Sequence, residues 1–402
     1  MKILLACQTA TNKGDRAIAE YLIDSLVEQG HEVVLSTTRP DLWKNAEGKT
    51  KRIIKMGYRS VHDNVKNYFI KRCLRFASRY TLDKILYRNL ISPKGKHRIC
   101  QWVSKEFVNE VKNADLVIVT GGHHITSIRD KNALFSFTYD IGLVSLYAKR
   151  YILWSQTIGP LEFTSEKAKN FFEKTIRNAE TVFIRDENSR VCIEETYGEM
   201  NNLKKTYDSV FGYGSLAFPD VSVREKKVGI SIFDGLKKAF ATYEVIAQML
   251  DSYAADGYAI EFFRMEYNDF ELENINRIIA LMQQKADIRI HPFMTTTKEH
   301  LQEVASCRCF IGYKTHSVIM SLTTATPLVA LVYHEKTKDF MNDFSLGDYA
   351  LSDIGLEYNR VKECMIAVDE NLEQIHCIQK NVAQQIAGQL KTDLLEMLEK
   401  GE

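Results

Sequence analysis

The chain opens on an apolar run, Ile3-Leu4-Leu5-Ala6-Cys7, followed by a polar stretch ending in Gly14-Asp15. Ala17-Ile18, Tyr21-Leu22 and Leu26-Val27 then recur at helical spacing until Gly30, and residues 32–36 read as a second strand. This strand–helix–strand unit repeats. Strands are predicted at 115–119, before Gly121-Gly122; at 151–155, before Gly159-Pro160; and at 181–184, before Arg185-Asp186. After a polar, glycine-bearing stretch at 207–219 the alternation restarts. Strands are predicted at 228–232, 259–263, 288–290, 309–311 and 328–333, and helices at 243–256, 274–285 and 298–306. Short apolar strands alternating with helices imply an α/β fold, with parallel sheets covered by helices. A run from Leu372 to Leu398 is a long amphipathic helix.

Length fits this picture. The 402 residues exceed one ordinary domain, and the restart near 225 gives two layers of similar size. Eight scattered cysteines in so long a chain argue against a disulfide scaffold and for a reducing cytoplasm. The amino-terminal run is too short for a signal peptide. Residues 315–334 carry no Lys, Arg, Asp or Glu, but they hold His316, six serines and threonines, and Pro327. They read as a buried helix and then a buried strand, not as the roughly 20 continuous apolar residues a membrane span needs.

Charge changes the picture in one window. The net charge is +1, yet residues 51–100 hold 14 Lys/Arg against Asp63 and Asp83. Within it, 65–91 places Val65, Phe69, Phe76, Tyr80, Ile85, Leu86 and Leu90 at helical spacing among basic residues. That is a basic amphipathic segment suited to an anionic membrane surface; the plainer reading packs its apolar face on its own domain. Nucleic acid is not expected, because no recognised nucleic-acid module accompanies the charge.

Ligands of open α/β sheets bind beyond the carboxyl ends of the strands, so residues there carry the candidate chemistry. Gly312-Tyr313-Lys314-Thr315-His316-Ser317 is the richest segment: a glycine ends a buried strand, and a cation, an imidazole and a hydroxyl follow at a helix start. Helix starts accept phosphate or carboxylate, and a histidine exchanges protons near neutrality. The alternative is a solvated Lys314 and a hydrogen-bonded core His316. Arg185-Asp186-x-x-Ser189 offers either an anion fork or, more plainly, a helix cap with Arg185 on a surface acid. His123-His124 can send at most one ring to a ligand. Cys307-x-Cys309 lacks a second pair, so no metal site is expected, and no P-loop or dinucleotide fingerprint is present.

Taken in order, these pieces resemble the polysaccharide pyruvyl transferase family. Asn12-Lys13-Gly14-Asp15-Arg16-Ala17 is similar to its Asn-x-Gly-Asp-x-Ala opening, and Gly121-Gly122 follows. Gln156-Thr157-Ile158-Gly159-Pro160 looks like its Gln-[Ser/Thr]-Ile-Gly-Pro, and Arg185–Ser189 matches its Arg-[Asp/Glu]-x-x-Ser. Gly312–Ser317, Pro327 and Tyr333-His334-Glu335-Lys336 resemble its Gly-x-Arg-Leu-His-[Ser/Ala], Pro and Tyr-x-x-Lys. There are two departures. Lys314-Thr315-His316 stands where the family has Arg-Leu-His, keeping the charge but losing the bidentate fork. Gly121-Gly122-His123 lacks a third glycine.

The resemblance implies two Rossmann-like domains similar to the GT-B glycosyltransferases. Residues 1–220 would form the acceptor side, with 51–100 as a basic insertion, and 221–402 the donor side. The implied reaction moves pyruvate from phosphoenolpyruvate, a co-substrate with no further cofactor, onto two hydroxyls of a sugar. His316 is expected as the acid, and Asp15 as the base with His123 as substitute. Lys314, Ser317, Arg185 and Lys336 would bind the donor, and Asn12, Gly14, Gly121 and Gly122 the acceptor. A lipid-diphosphate-linked acceptor would place the protein on the inner face of the plasma membrane. The competing readings are a nucleotide-sugar glycosyltransferase and a non-catalytic relative that binds glycan or membrane.

Overall fold

The computed structural model describes residues 1–9, 11–46, 48–57, 67–70, 72–73, 104–128, 140–163, 165–232, 240–333 and 335–399. Most of the amphipathic segment predicted at 65–91, and of the basic window around it, lies outside the described residues. So do Phe233-Asp234-Gly235 and His334.

The chain divides into two compact units. Unit 1 is Met1–Ala10 with Ile18–Ser209, and unit 2 is Thr11–Ala17 with Val210–Glu402. The sequence placed the boundary at 220/221 and assigned the whole amino-terminal region to the first half. Two stretches differ: 210–220 group with unit 2, and so does the short segment Thr11–Ala17, which pairs with residues of unit 2 as described below.

Unit 1 contains β1 (Lys2–Gln8), β2 (Glu32–Thr37), β3 (Arg52–Lys55), β4 (Leu116–Val119), β5 (Gly122–Ile125), β6 (Tyr151–Ile158), β7 (Val182–Ile184) and β8 (Leu203–Lys205). They form one parallel sheet in the order β3-β2-β1-β4-β6-β7-β8, with β5 also on β6. Neighbouring residues of a strand point to opposite faces, and here both sets are buried: Leu4 and Val117 on one face, Ile3 and Leu116 on the other. Coverage of both faces explains why these strands read as unbroken apolar runs. The covering helices include α1 (Lys13–Glu28), α2 (Lys105–Asn113), α3 (Glu166–Arg177) and α4 (Glu187–Tyr197). Ser104, Ser165 and Asp186 cap the last three through their side chains.

Unit 2 repeats the plan with β9 (Glu225–Ser231), β10 (Ala259–Phe263), β11 (Ile288–His291), β12 (Cys307–Gly312), β13 (Leu328–Val332) and β14 (Ala350–Ser352). The order is β11-β10-β9-β12-β13-β14, again parallel throughout. Its helices are α5 (Phe240–Ala255), α6 (Asp269–Leu281), α7 (Thr297–Ser306), α8 (Thr315–Thr323), α9 (Glu335–Asp343), α10 (Tyr358–Glu370) and α11 (Leu372–Glu399). The chain builds outward from β9 to β11, then returns to lay β12 on the other side of β9. This reversal is a topological switch point, where neighbouring strands feed helices on opposite faces and leave an opening at their carboxyl ends.

The charge-free stretch 315–334 resolves as predicted into a helix, α8, and a strand, β13. Among the described residues no helix is long and apolar enough to cross a membrane. Helix α8 ends in a Schellman motif: Thr326 N–H donates to Ser321 O and Ala325 N–H to Leu322 O, with Ala325 left-handed at φ 51°. Arg224 donates to Thr324 O and Thr326 Oγ1, and His376 Nδ1 and Gln379 Nε2 donate to Ala325 O and Thr326 O. Burial pushes the Arg224 guanidinium down to about 10, a value that still leaves it charged at neutrality. The far end of α8 is therefore fixed, and its first turn is presented at the switch point.

Candidate functional site at the switch point of the second sheet

The site begins with the ends of β9 and β12. Gly312 closes β12 where a Cβ would come 2.6 Å from Val318 Cγ2, so only glycine lets α8 turn back this tightly. Ser231, ending β9, donates to Ser317 Oγ, and Ser317 donates to Lys314 O at 2.7 Å. The Ser317 hydroxyl, expected to hold a donor, thus staples the first turn of α8 to β9. Lys314 occupies the cap position of α8, with no side-chain cap bond. The next helix joins here: Thr315 Oγ1 and Thr337 Oγ1 lie 2.8 Å apart, bringing the first turn of α9, which carries the half-buried Lys336, against that of α8.

The segment Thr11–Ala17 forms one wall. Lys13 N–H donates to Met265 O at 2.8 Å and Tyr267 N–H to Thr11 O at 3.0 Å, an antiparallel pairing just beyond the carboxyl end of β10. The Lys13 ammonium is fully buried and donates to Phe293 O at 2.8 Å, to Thr295 Oγ1 at 2.9 Å and to Thr295 O. Three oxygens answer its three donors, which is what makes a buried lysine tolerable.

Asn12 has two roles. Its Oδ1 caps α1, accepting from Gly14 N–H at 2.8 Å and Asp15 N–H at 3.3 Å, while its Nδ2 donates to Glu266 Oε1 at 2.6 Å. The same Glu266 oxygen lies 2.9 Å from Lys314 Nζ. Lys314 is 6% exposed, so it is not a solvated surface lysine. Two residues further along both segments, His316 covers Gly14, and a Cβ at position 14 would fall among its ring atoms. His316 is half-buried. Asn12, Gly14, Lys314 and His316 are thereby brought together, with Asp15, also half-buried, in the first turn of α1.

Glu266, at the centre of this arrangement, belongs to none of the motifs read from the sequence. Its position is set by Glu271, fully buried, whose carboxylate accepts from Met265 N–H at 2.8 Å and Glu266 N–H at 3.0 Å. Nothing local in the sequence signals the pairing, because Asn12 and Glu266 are 254 residues apart.

Behind the wall lies a buried cluster. His291 Nε2 is 2.5 Å from Glu261 Oε2 and its ring stacks on Phe263 at 4.2 Å. His300 packs edge-on to Phe263, and its Nδ1 has no hydrogen-bond partner among the described residues. Burial, and then the Lys13 ammonium, hold the His300 imidazole well below the usual histidine range; burial also lowers His291. Among the described residues no group of three or more His, Cys, Asp or Glu could hold a metal ion.

The remaining expected residues lie in unit 1. Asp186 caps α4 as the plain reading held, through Ser189 N–H at 2.8 Å, and it also accepts from Thr157 Oγ1 at 2.7 Å. Arg185 donates through Nε to Thr157 Oγ1 at 2.8 Å and through Nη1 to Asp208. Asp208 is buried, not the surface acid expected. Gly121 runs against β6, where a Cβ would lie 2.8 Å from Trp154 O, and Gly122 has φ 139°. Both glycines thus have backbone reasons to be glycine. His123 donates from Nε2 to Gly159 O at 2.9 Å.

The family model for polysaccharide pyruvyl transferase matches residues 12–335, starting at the Asn12 cap and ending at the head of α9. The chain belongs to that family. Membership carries the coarse function with it, a transferase of polysaccharide pyruvylation. Among curated proteins none matches the chain. Solved structures similar to this family member include a Rickettsia africae glycosyltransferase, 11% identical with a TM-score of 0.58, covering 100% of this chain and 98% of that one. The Anabaena protein HepE, solved with UDP-glucose, is 11% identical at a TM-score of 0.59, covering 100% of both chains. A UDP-GlcNAc 2-epimerase from Neisseria meningitidis, bound to UDP-GlcNAc, is 10% identical at 0.58, covering 100% of both. At such identities the likeness concerns the fold: two Rossmann-like units of the GT-B class.

Proposed function

We propose that this protein transfers the pyruvyl group of phosphoenolpyruvate to two hydroxyls of a sugar in a lipid-diphosphate-linked polysaccharide repeat unit. A cyclic ketal forms and phosphate leaves. One observation carries the reading: family-motif residues far apart in the chain, Asn12-x-Gly14 and Lys314-x-His316, meet at a switch point beside two helix starts.

The donor brings a phosphate and a carboxylate. The first turns of α8 and α9 offer the positive ends of two helix dipoles, flanked by Lys314 and Lys336. Arg185 is engaged with Asp208 and Thr157, and this reading gives the donor's charges to unit 2. His316 protonates the methylene carbon, which makes C2 electrophilic, and the first sugar hydroxyl adds there and gives its proton to Asp15. Phosphate then departs and takes that proton from Asp15. The second hydroxyl closes the ring and its proton restores His316. Gly121, Gly122 and His123, at the carboxyl ends of unit 1, are assigned to the acceptor.

A second reading, nucleotide-sugar glycosyl transfer, is favoured by the structural likeness to HepE with UDP-glucose. Thermal denaturation separates the two. Stabilisation by phosphoenolpyruvate, with phosphate release and the mass of one pyruvyl unit added to a lipid-linked sugar, supports pyruvyl transfer. Stabilisation by UDP-sugars alone supports the other.

A further inference from the structure

The unusual feature of the site is the lysine at position 314. An arginine orients itself on an anion through two parallel bonds, whereas a lysine is a point charge on a flexible four-carbon stem. Such a charge binds a donor in one geometry only if something else holds it. Here Glu266 does so, at 2.9 Å. Its reach is fixed in turn by the buried Glu271, and its Oε1 also accepts from Asn12 at 2.6 Å.

We propose that Glu266 is the positioning residue that makes lysine workable at position 314. One carboxylate oxygen holds the Lys314 ammonium and the Asn12 amide together, aligning the segment that bears Gly14 with the one that bears His316. This rests on phosphoenolpyruvate being the donor. The ion pair has a consequence for charge: Lys314 meets the donor already neutralised by Glu266, so its contribution is placement, and the dipoles of α8 and α9 with Lys336 supply attraction. The shared oxygen matters as well. Moving Glu266 loosens the Asn12 cap and the ammonium at once, so defects at the three positions are not independent.

The test titrates phosphoenolpyruvate against the unaltered protein, Glu266→Gln, Lys314→Arg and the double variant, by thermal shift and by phosphate-release kinetics. Glu266→Gln raises the half-saturating donor concentration about tenfold, the scale of one misplaced charged contact, while kcat changes far less. Lys314→Arg in the Gln background restores most of the loss, because the fork orients itself. Where the Gln variant does not fold, Glu266→Asp, which keeps the charge and shortens the reach, has the same expected direction. The inference is overturned if Glu266→Gln binds the donor equally well or more tightly. It is also overturned if kcat falls with donor affinity intact. An unaltered protein that ignores phosphoenolpyruvate overturns the donor reading itself, and the inference with it, a result distinct from a responsive protein with an indifferent variant.

Discussion

The imidazole of His316 occupies the space in which a side chain at Gly14 would begin. Position 14 is therefore glycine because of a residue 302 positions later, on another helix start. Its lack of a Cβ lets the first turn of α1 form the wall against which the proposed acid rests.

Gly14→Ala must push His316 aside. The expected result is a phosphate-release rate lowered about tenfold or more, with stability reduced by ~1–3 kcal/mol, the usual cost of overpacking. Kinetics and urea denaturation on the same preparation check it. An alanine variant with unaltered kinetics would show that the His316 ring has no part in the reaction.

Arg185 and Asp208 form a buried ion pair, 7% and 0% exposed. Arg185→Met leaves the Asp208 carboxylate buried without its cation, an expected loss of about 3–5 kcal/mol. Arg185→Met combined with Asp208→Leu recovers much of it, since paired removal leaves no stranded charge. Urea denaturation of the two variants reads this directly. If Arg185→Met keeps full stability and loses only the response to phosphoenolpyruvate, the guanidinium belongs to the donor after all.

Stability responds to pH through His300. Its folded-state value lies well below the ordinary 6.5 because burial and Lys13 disfavour the imidazolium. Above pH 6.5 the ring is neutral in both states and adds nothing. As pH falls below 6.5 the unfolded chain takes up a proton that the folded chain refuses, so stability declines. The slope approaches about 1.4 kcal/mol per pH unit per such group. His291 and His376 are lowered by burial and act in the same sense. The lowered carboxyls of Asp115, Asp220 and Glu299 lose their stabilisation as pH falls through a lower, more acidic window. Denaturation between about pH 5 and 7.5 should show a shallower slope in His300→Leu; an unchanged slope means that His300 is not among the titrating groups.

We propose that the basic window 51–100 docks on an anionic membrane, a reading that rests on its charge and on the amphipathic spacing of 65–91. Co-sedimentation with anionic vesicles should be salt-sensitive, weakening as the Debye length shortens, and should disappear when the window is neutralised. Binding that survives neutralisation removes the assignment.

Much of the fold was legible because both faces of each sheet are buried. The strand predicted at 259–263 is β10 to the residue, and 328–333 overshoots β13 by one. Short edge strands were not legible. Leu203–Lys205 carries two lysines and no apolar run, and it is a strand only because β7 lies beside it. The helix predicted at 274–285 begins earlier, at Asp269, because the cap is Asn268, whose side chain accepts from Glu271 N–H. At the site, Lys314 and His316 stood out by residue type and by family motif. Glu266 and Asp208 did not, since a carboxylate in a polar stretch looks solvated until the fold brings its cation to it.

Thr11–Ala17 groups with unit 2, while the residues on either side of it group with unit 1. A gene fragment starting at residue 210 would encode Lys314, His316 and Glu266 yet omit Asn12 and Gly14. Producing the carboxyl-terminal half alone would thus yield an unfinished site, and a short peptide spanning the omitted stretch is the natural reagent for completing it in trans.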